Sequence, residues 1–308
     1  MKVKMDVIKG ELLEQGVIVE EFGSFSKLTT LCCGGGIRLV VYPANEKQFV
    51  LALNLATRWS IPHIILGYGS NVLASSCFYD GMVICTKKFN HFQVKGDSVT
   101  AYAGASTAKM GRELAKLGLS GGEFFCCLPS TVGGAVVGNA GCFSQNTGGV
   151  VECVWAMENG KVHKFSAADC HFGYRTSLFK QHNMPVIKVQ MRFRQSDTRK
   201  VKLQIENQMA IKRKTQPLGQ KSAGSVLCHP RVAVARLLDV AGLKGYSVGG
   251  AAVSKKHAGF AINIDKAAPE DIYLLIMHMQ KTLWQRFGVF AESEVRMLNF
   301  VDVGETEK

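Results

Sequence analysis

Three glycine-rich segments of this 308-residue chain carry residue types that can hold an anion. They are Cys33-Gly34-Gly35-Gly36, Gly67-Tyr68-Gly69-Ser70-Asn71, and Pro129-Ser130-Thr131-Val132-Gly133-Gly134-Ala135 followed by Asn139-Ala140-Gly141. Glycine has no Cβ, so backbone N–H groups can approach a phosphate closely, and a neighbouring Ser or Asn adds side-chain hydrogen bonds. The second segment follows the apolar run Ile61 to Leu66 and is the best cradle of the three. It lacks the third glycine of GxGxxG, and residues 72–78 do not open an amphipathic helix, which disfavours a Rossmann dinucleotide site. GxxxxGK[ST] is absent too, so a Walker-type NTPase has no support. A plain turn accounts for any one such loop. Three in the first half of the chain bring a binding role level with that reading.

The elements that must position these loops are short. Runs at Ile37 to Tyr42, Ile61 to Leu66, Met82 to Thr86 and Ser98 to Ala103 are β-branched, bounded by Gly, Pro or Asn, and read as strands. Asn45, three residues before Gln48, has the form of a capping box, and Phe49, Leu53 and Ala56 follow at helical spacing. A second helix is expected from Thr107 to Leu117. Glu158-Asn159-Gly160 stands between apolar segments and predicts a tight hairpin, because both turn positions favour positive φ. Ile187, Val189, Met191 and Phe193 alternate with polar residues as in a half-buried strand. From Asp197 the chain turns into Lys/Arg-rich helical sequence, and then Thr215-Gln216-Pro217 precedes a stretch read as a loop, Lys221 to Pro230. Beyond it, Val232 to Val240 predicts a helix ended by Gly242. Pro269 opens another, with Ile272, Leu275, Ile276, Met279 and Leu283 on one face.

Lys and Arg number 37 against 24 Asp and Glu, for a net charge of +13. With 47% hydrophobic and 20% charged residues the chain can bury cores and is not disordered. The stretch from Gln190 to Phe260 holds fourteen basic and three acidic residues, so it carries most of the excess. Such a field suits an anionic partner. A nucleic-acid-binding protein is one candidate, but neither an aromatic RNA-binding octapeptide, a KH-type loop nor a zinc-finger pattern is present. The first residues mix Lys, Asp and Glu and form no apolar leader, and no run reaches the length of a membrane span. A cytoplasmic protein without membrane insertion is expected. The ten cysteines form no CxxC pair and read as reduced, mostly buried thiols, and no metal site is expected.

The quoted loops, together with Phe172-Gly173-Tyr174-Arg175-Thr176-Ser177, Thr215-Gln216-Pro217, Ser222-Ala223-Gly224-Ser225, Gly242-Leu243-Lys244-Gly245, Gly249-Gly250-Ala251 and Glu292-Ser293-Glu294-Val295-Arg296, fall in an order that resembles the UDP-N-acetylenolpyruvoylglucosamine reductase family. The resemblance runs from Lys27 to Arg296. The Tyr-Arg-x-Ser form without a long insertion is similar to the shorter, type II branch.

The resemblance implies an α+β protein. Residues 1–200 would form an FAD-binding domain of the vanillyl-alcohol-oxidase (PCMH) type in two subdomains, split near 90–105, and residues 201–308 a C-terminal α+β substrate-binding domain. It implies noncovalent FAD, since no His in the first half matches a covalent attachment site, and NADPH as hydride donor. The substrate would be the enolpyruvyl ether of UDP-N-acetylglucosamine, reduced to UDP-N-acetylmuramate for peptidoglycan, and the enzyme would act as a monomer. Hydride addition to the distal alkene carbon leaves negative charge beside a carboxylate, so the site needs a cation or donor and an acid.

By the resemblance, Arg175 would bind the carboxylate, Ser225 would donate the proton, and Glu294 would polarise the developing enol. Gly67, Tyr68, Gly69, Ser70, Asn71, Ser130, Thr131, Gly133 and Gly134 would hold the flavin. Lys212, Gln216, Lys244 and His257 would serve the UDP and sugar ends. Two stretches depart from the family pattern. Val226-Leu227-Cys228-His229-Pro230 has Cys-His where a Lys-Asn pair is usual, and Leu128-Pro129-Ser130 replaces Ile-Pro-Gly. The competing reading is another FAD-dependent oxidase or dehydrogenase of the same superfamily, which would not need the Ser225 and Glu294 motifs.

Overall fold

The computed structural model describes residues 2–300. Its α-helices are α1 (Lys2–Glu14), α2 (Phe25–Leu28), α3 (Glu46–Arg58), α4 (Thr107–Lys116), α5 (Val132–Val137), α6 (Leu178–Gln181), α7 (Thr198–Thr215), α8 (Val234–Val240) and α9 (Pro269–Phe287). The chain divides into two compact units. Among the described residues, one gathers 2–21, 39–68 and 81–214, and the other 22–38, 69–80 and 215–300.

The first unit has two hydrophobic centres. In one, α1 contributes Met5, Ile8 and Leu12 and α3 contributes Phe49, Ala52, Leu53 and Ala56, packed with Leu39, Val41, Met82 and Ile84 from strands. The i, i+3, i+4, i+7 spacing in α3 puts those four side chains on one stripe. Asn45 caps α3, its Oδ1 accepting from the Gln48 N–H at 3.0 Å. The return bond differs from a capping box: Gln48 Oε1 accepts from the N–H of Ala44, one residue earlier, at 2.8 Å. The strand His63–Leu66 pairs in parallel with Met82 to Cys85 and delivers the chain to Gly67. It is shorter than the run beginning at Ile61, because Pro62 has no N–H to give a ladder.

The second centre of this unit lies on a five-stranded antiparallel sheet, ordered Lys161–Ser166, Val151–Glu158, Val186–Arg192, Ser98–Tyr102, Phe92–Lys95. The hairpin closes with Glu158 opposite Lys161, and Asn159 and Gly160 both take positive φ, 50° and 76°. Val154, Val189 and Met191 face α4 and α5 residues such as Met110, Leu114 and Val136 in a closed core. Each large apolar side chain buried in this way contributes roughly 1.5–3 kcal/mol.

The second unit is built on a four-stranded antiparallel sheet, ordered Ser222–Ser225, Phe260–Asn263, Ala251–Val253, Ser247–Val248. α9 covers it with Ile272, Leu275, Ile276, Met279 and Leu283, and α8 adds Val234 and Leu238. The expected helix at 232–240 starts two residues later, at Val234. The stretch Lys221 to Pro230 is not the loop its composition suggests: Ser222–Ser225 and Leu227–Cys228 are strands. Ser-Ala-Gly-Ser has little strand propensity of its own, and pairing with the apolar Phe260–Asn263 strand imposes the extended form.

Candidate active site

The sheet of the second unit positions Ser225. Ser222 pairs with Ile262 and Ser225 with Phe260, so three steps on one strand oppose two on the other, a bulge. Gly224 absorbs it at φ 81°. A bulge bends the strand and re-aims the side chain that follows. The Ser225 hydroxyl donates to the carbonyl of Leu227 at 3.4 Å. Gly259 lies beside it: a Cβ there would stand 3.0 Å from Ser225 Oγ and 3.1 Å from His257 Cε1.

Glu294 is held against the same segment. Its N–H donates to the carbonyl of Val226 at 2.9 Å, and Leu227–Cys228 pairs with Glu292–Ser293. Asn71 fastens it from the other side, Nδ2 donating to the Glu294 carbonyl at 2.9 Å and its own carbonyl accepting from the Arg296 N–H at 3.1 Å. Beyond that contact, Arg296–Leu298 runs parallel to Val72–Ala74. Ser225 and Glu294, far apart in sequence, are thus neighbours in one unit.

His257 joins this group. Its Nδ1 accepts from the Gly259 N–H at 3.1 Å, and its ring meets Phe260 edge-on at 4.9 Å. Burial first, and the charge of Lys244 second, hold its imidazole below the ordinary value. Lys244 itself pairs with Asp239 at 2.7 Å. Gln216 is half-buried in the same unit, and its carbonyl accepts from Leu218 at 2.9 Å.

The first unit brings together a second set. Gly67 and Thr131 face each other so closely that a Cβ on Gly67 would lie 2.4 Å from Thr131 Oγ1. Tyr68 follows on one loop and Ser130 precedes on the other. Thr131 caps α5, accepting from Gly134 at 3.3 Å. The N–H groups of Val132 and Gly133 bond the carbonyls of Ala105 and Ala103 at 2.8 Å each. Gly133 has a packing reason as well, since its Cβ would meet Ala103 Cβ at 2.8 Å. The two glycine-rich loops therefore pack directly on each other, Gly67 leaving room for the Thr131 side chain and for no side chain of its own. In the second unit, Gly69 at φ 64° closes the turn onto Leu28, and its carbonyl accepts from the Thr30 N–H at 3.0 Å. Ser70 is half-buried next to it.

Arg175 stands in a turn where Gly173 and Thr176 bridge, at φ 56°. Its Nη1 donates to the Gly141 carbonyl at 3.5 Å, its guanidinium lies 5.4 Å from the Tyr174 ring, and its carbonyl accepts from Lys180 at 2.9 Å. Asn139, whose role sequence reasoning did not separate from its motif, carries the turn. It is buried, donates to Gly173 O at 2.8 Å and accepts from Gly148 N–H at 2.9 Å. Lys212, in the last turn of α7, belongs to this unit and donates to the Cys127 carbonyl at 2.6 Å. Gln216, Lys244 and His257 belong to the other. Among the described residues, no cluster of His, Cys, Asp or Glu could hold a metal ion, and no helix is long and apolar enough to cross a membrane.

Residues 37–166 match the FAD binding domain, and residues 216–298 match the C-terminal domain of UDP-N-acetylenolpyruvoylglucosamine reductase. The reductase of Caldicellulosiruptor bescii is 37% identical over 276 residues, 88% of each chain. That of Thermotoga sp. strain RQ2 is 32% identical over 95% of this chain and 98% of its own. The chain belongs to the UDP-N-acetylenolpyruvoylglucosamine reductase family. The crystal structure of the reductase (MurB) from Thermus caldophilus superimposes with a TM-score of 0.79 at 29% identity, over 92% of this chain and 99% of that one. Membership makes the chain an FAD-dependent oxidoreductase with a PCMH-type flavin domain and the reductase family's C-terminal domain. The match to the reductase C-terminal domain spans both Ser225 and Glu294.

Proposed function

We propose that this reductase delivers hydride to the enolpyruvyl group of UDP-N-acetylglucosamine enolpyruvate and protonates the product through Ser225. The carrying observation is the grouping of Ser225 with Glu294 through the 2.9 Å bond from Glu294 N–H to Val226 O. Bound FAD supplies the hydride relay from NADPH to the alkene. Gly67, Tyr68, Ser130 and Thr131 form the surface that would hold it, with Gly69, Ser70, Asn71, Gly133 and Gly134 shaping the loops.

The protein's own residues then have three tasks. Arg175 binds the substrate carboxylate with a fork of N–H donors, which steadies the charge that grows as hydride arrives. Ser225 gives its proton to the carbon next to that carboxylate. A serine hydroxyl is a weak acid, and only a partner as basic as a carbanion can take its proton. Glu294 polarises the enol oxygens. Lys212, Gln216, Lys244 and His257 are assigned to the UDP-sugar, and the local excess of positive charge draws in the diphosphate. In this reading the enzyme works in the cytoplasm as a monomer.

The test is spectroscopic. Purified protein should be yellow, bleach anaerobically with NADPH, and regain colour only when the UDP-enolpyruvyl sugar is added. Protein that takes up no FAD, or reduced protein that the sugar leaves bleached, would reject the proposal.

A further inference from the structure

Gly259 stands between Ser225 and His257, and both of its backbone groups are engaged. Its N–H donates to His257 Nδ1 at 3.1 Å, and its carbonyl accepts from the N–H of Val226, the residue after Ser225, at 2.9 Å. The next residue, Phe260, pairs with Ser225 across the sheet. The φ at Gly259 lies outside the left-handed region, so backbone conformation does not call for glycine here. Space does. A Cβ on Gly259 would lie 3.0 Å from Ser225 Oγ, 3.1 Å from His257 Cε1 and 3.2 Å from Ala235 Cβ. Non-bonded carbons attract best at about 3.5–4.0 Å, so each of these contacts is closer than a relaxed one.

The three neighbours differ in how they can give way. Ala235 sits in α8 and has no rotamer to change. The His257 ring is held at Nδ1 by Gly259 itself and meets Phe260 edge-on at 4.9 Å. The Ser225 hydroxyl turns about a single bond between staggered positions, and its hydrogen bond to the Leu227 carbonyl is long, at 3.4 Å. Gly259 cannot back away, because it is pinned through its N–H on one side and its carbonyl on the other. A methyl group at 259 is therefore relieved by moving Ser225 Oγ to another staggered position.

We propose that Gly259 is a positioning residue for the proton donor: having no side chain, it keeps open the place from which the Ser225 hydroxyl reaches the substrate carbon. The inference rests on Ser225 being the acid. Gly259 exchanges no atom with the substrate and acts only by leaving Oγ where it stands.

Anaerobic stopped-flow measurements on the full-length, FAD-loaded variants Gly259→Ala, Ser225→Ala and Ser225→Ala/Gly259→Ala test this. In Gly259→Ala, flavin reduction by NADPH is expected near the native rate, while reoxidation by the UDP-enolpyruvyl sugar slows by up to about a hundredfold, the scale of a misplaced reacting group. In the double variant, reoxidation is expected to match that of Ser225→Ala alone, because the oxygen that the methyl displaces is gone. A double variant slowed by the product of the two single effects overturns the proposal. Where Gly259→Ala does not fold, calorimetry of the double variant decides: recovery of the melting transition supports the clash with Oγ, and its loss in both variants overturns it. Native reoxidation in Gly259→Ala beside a slow Ser225→Ala rejects the role of Gly259 alone. Native reoxidation in Ser225→Ala rejects Ser225 as the acid, and this inference with it.

Discussion

The Asn71 side chain donates from Nδ2 to the carbonyl of Glu294 at 2.9 Å, across 223 positions of sequence. The bond joins Asn71 to the link between the short strands Glu292–Ser293 and Arg296–Leu298, where Glu294 stands, and Glu294 in turn bonds the backbone next to Ser225. Asn71 therefore positions the proposed polariser and acid.

Replacing Asn71 by Ala removes the side-chain bond and keeps the backbone bond from Arg296. Turnover should fall by up to about a hundredfold, the scale at which misplacing a reacting group is felt, and should fall further than flavin content does. Steady-state kinetics and the flavin-to-protein absorbance ratio measure both. A loss of turnover that only matches the loss of flavin would show that Asn71 acts through the cofactor loop alone.

Gly67→Ala puts a methyl group 2.4 Å from Thr131 Oγ1. Thr131 is buried and caps α5, so it cannot swing away without losing the cap. Overpacking of this kind costs typically 1–3 kcal/mol. The variant should melt earlier by calorimetry and retain less FAD after gel filtration.

Stability should depend on pH through His257. Burial and Lys244 hold its folded-state pKa below the ordinary 6.5, and its Nδ1 is engaged as an acceptor from Gly259. The unfolded chain takes this proton at higher pH than the folded chain does. The stability from the neutral ring is complete above about pH 6.5 and is lost as the pH falls towards the lowered folded value. Urea midpoints between about pH 7 and about pH 5 should fall more for the native protein than for His257→Gln, which has no titrating ring.

Much of this architecture could be read in advance where the determining signal is local. The Asn159-Gly160 turn needs only two positive φ values, and α3 and α9 are set by their apolar stripes and by Asn45 and Pro269. α1 escaped notice because Lys, Asp and Glu crowd its exposed face, although Met5, Ile8 and Leu12 keep helical spacing. The strand Ser222–Ser225 could not be read, since four small residues become a strand only through a partner some forty residues on. In the site, loop composition pointed to Gly67 and Thr131, but the bond between Asn71 and Glu294 is a tertiary fact. Lys212 shows the limit most clearly. Its motif groups it with Gln216, yet its ammonium is fixed 2.6 Å from the Cys127 carbonyl, 85 positions away.

The role of Ser225 is tested most directly by following the two half-reactions of Ser225→Ala in an anaerobic stopped-flow instrument. Flavin reduction by NADPH should proceed within about twofold of the native rate, while reoxidation by the UDP-enolpyruvyl sugar slows by on the order of a thousandfold, as expected for loss of a general acid. Native rates in both half-reactions would contradict the assignment.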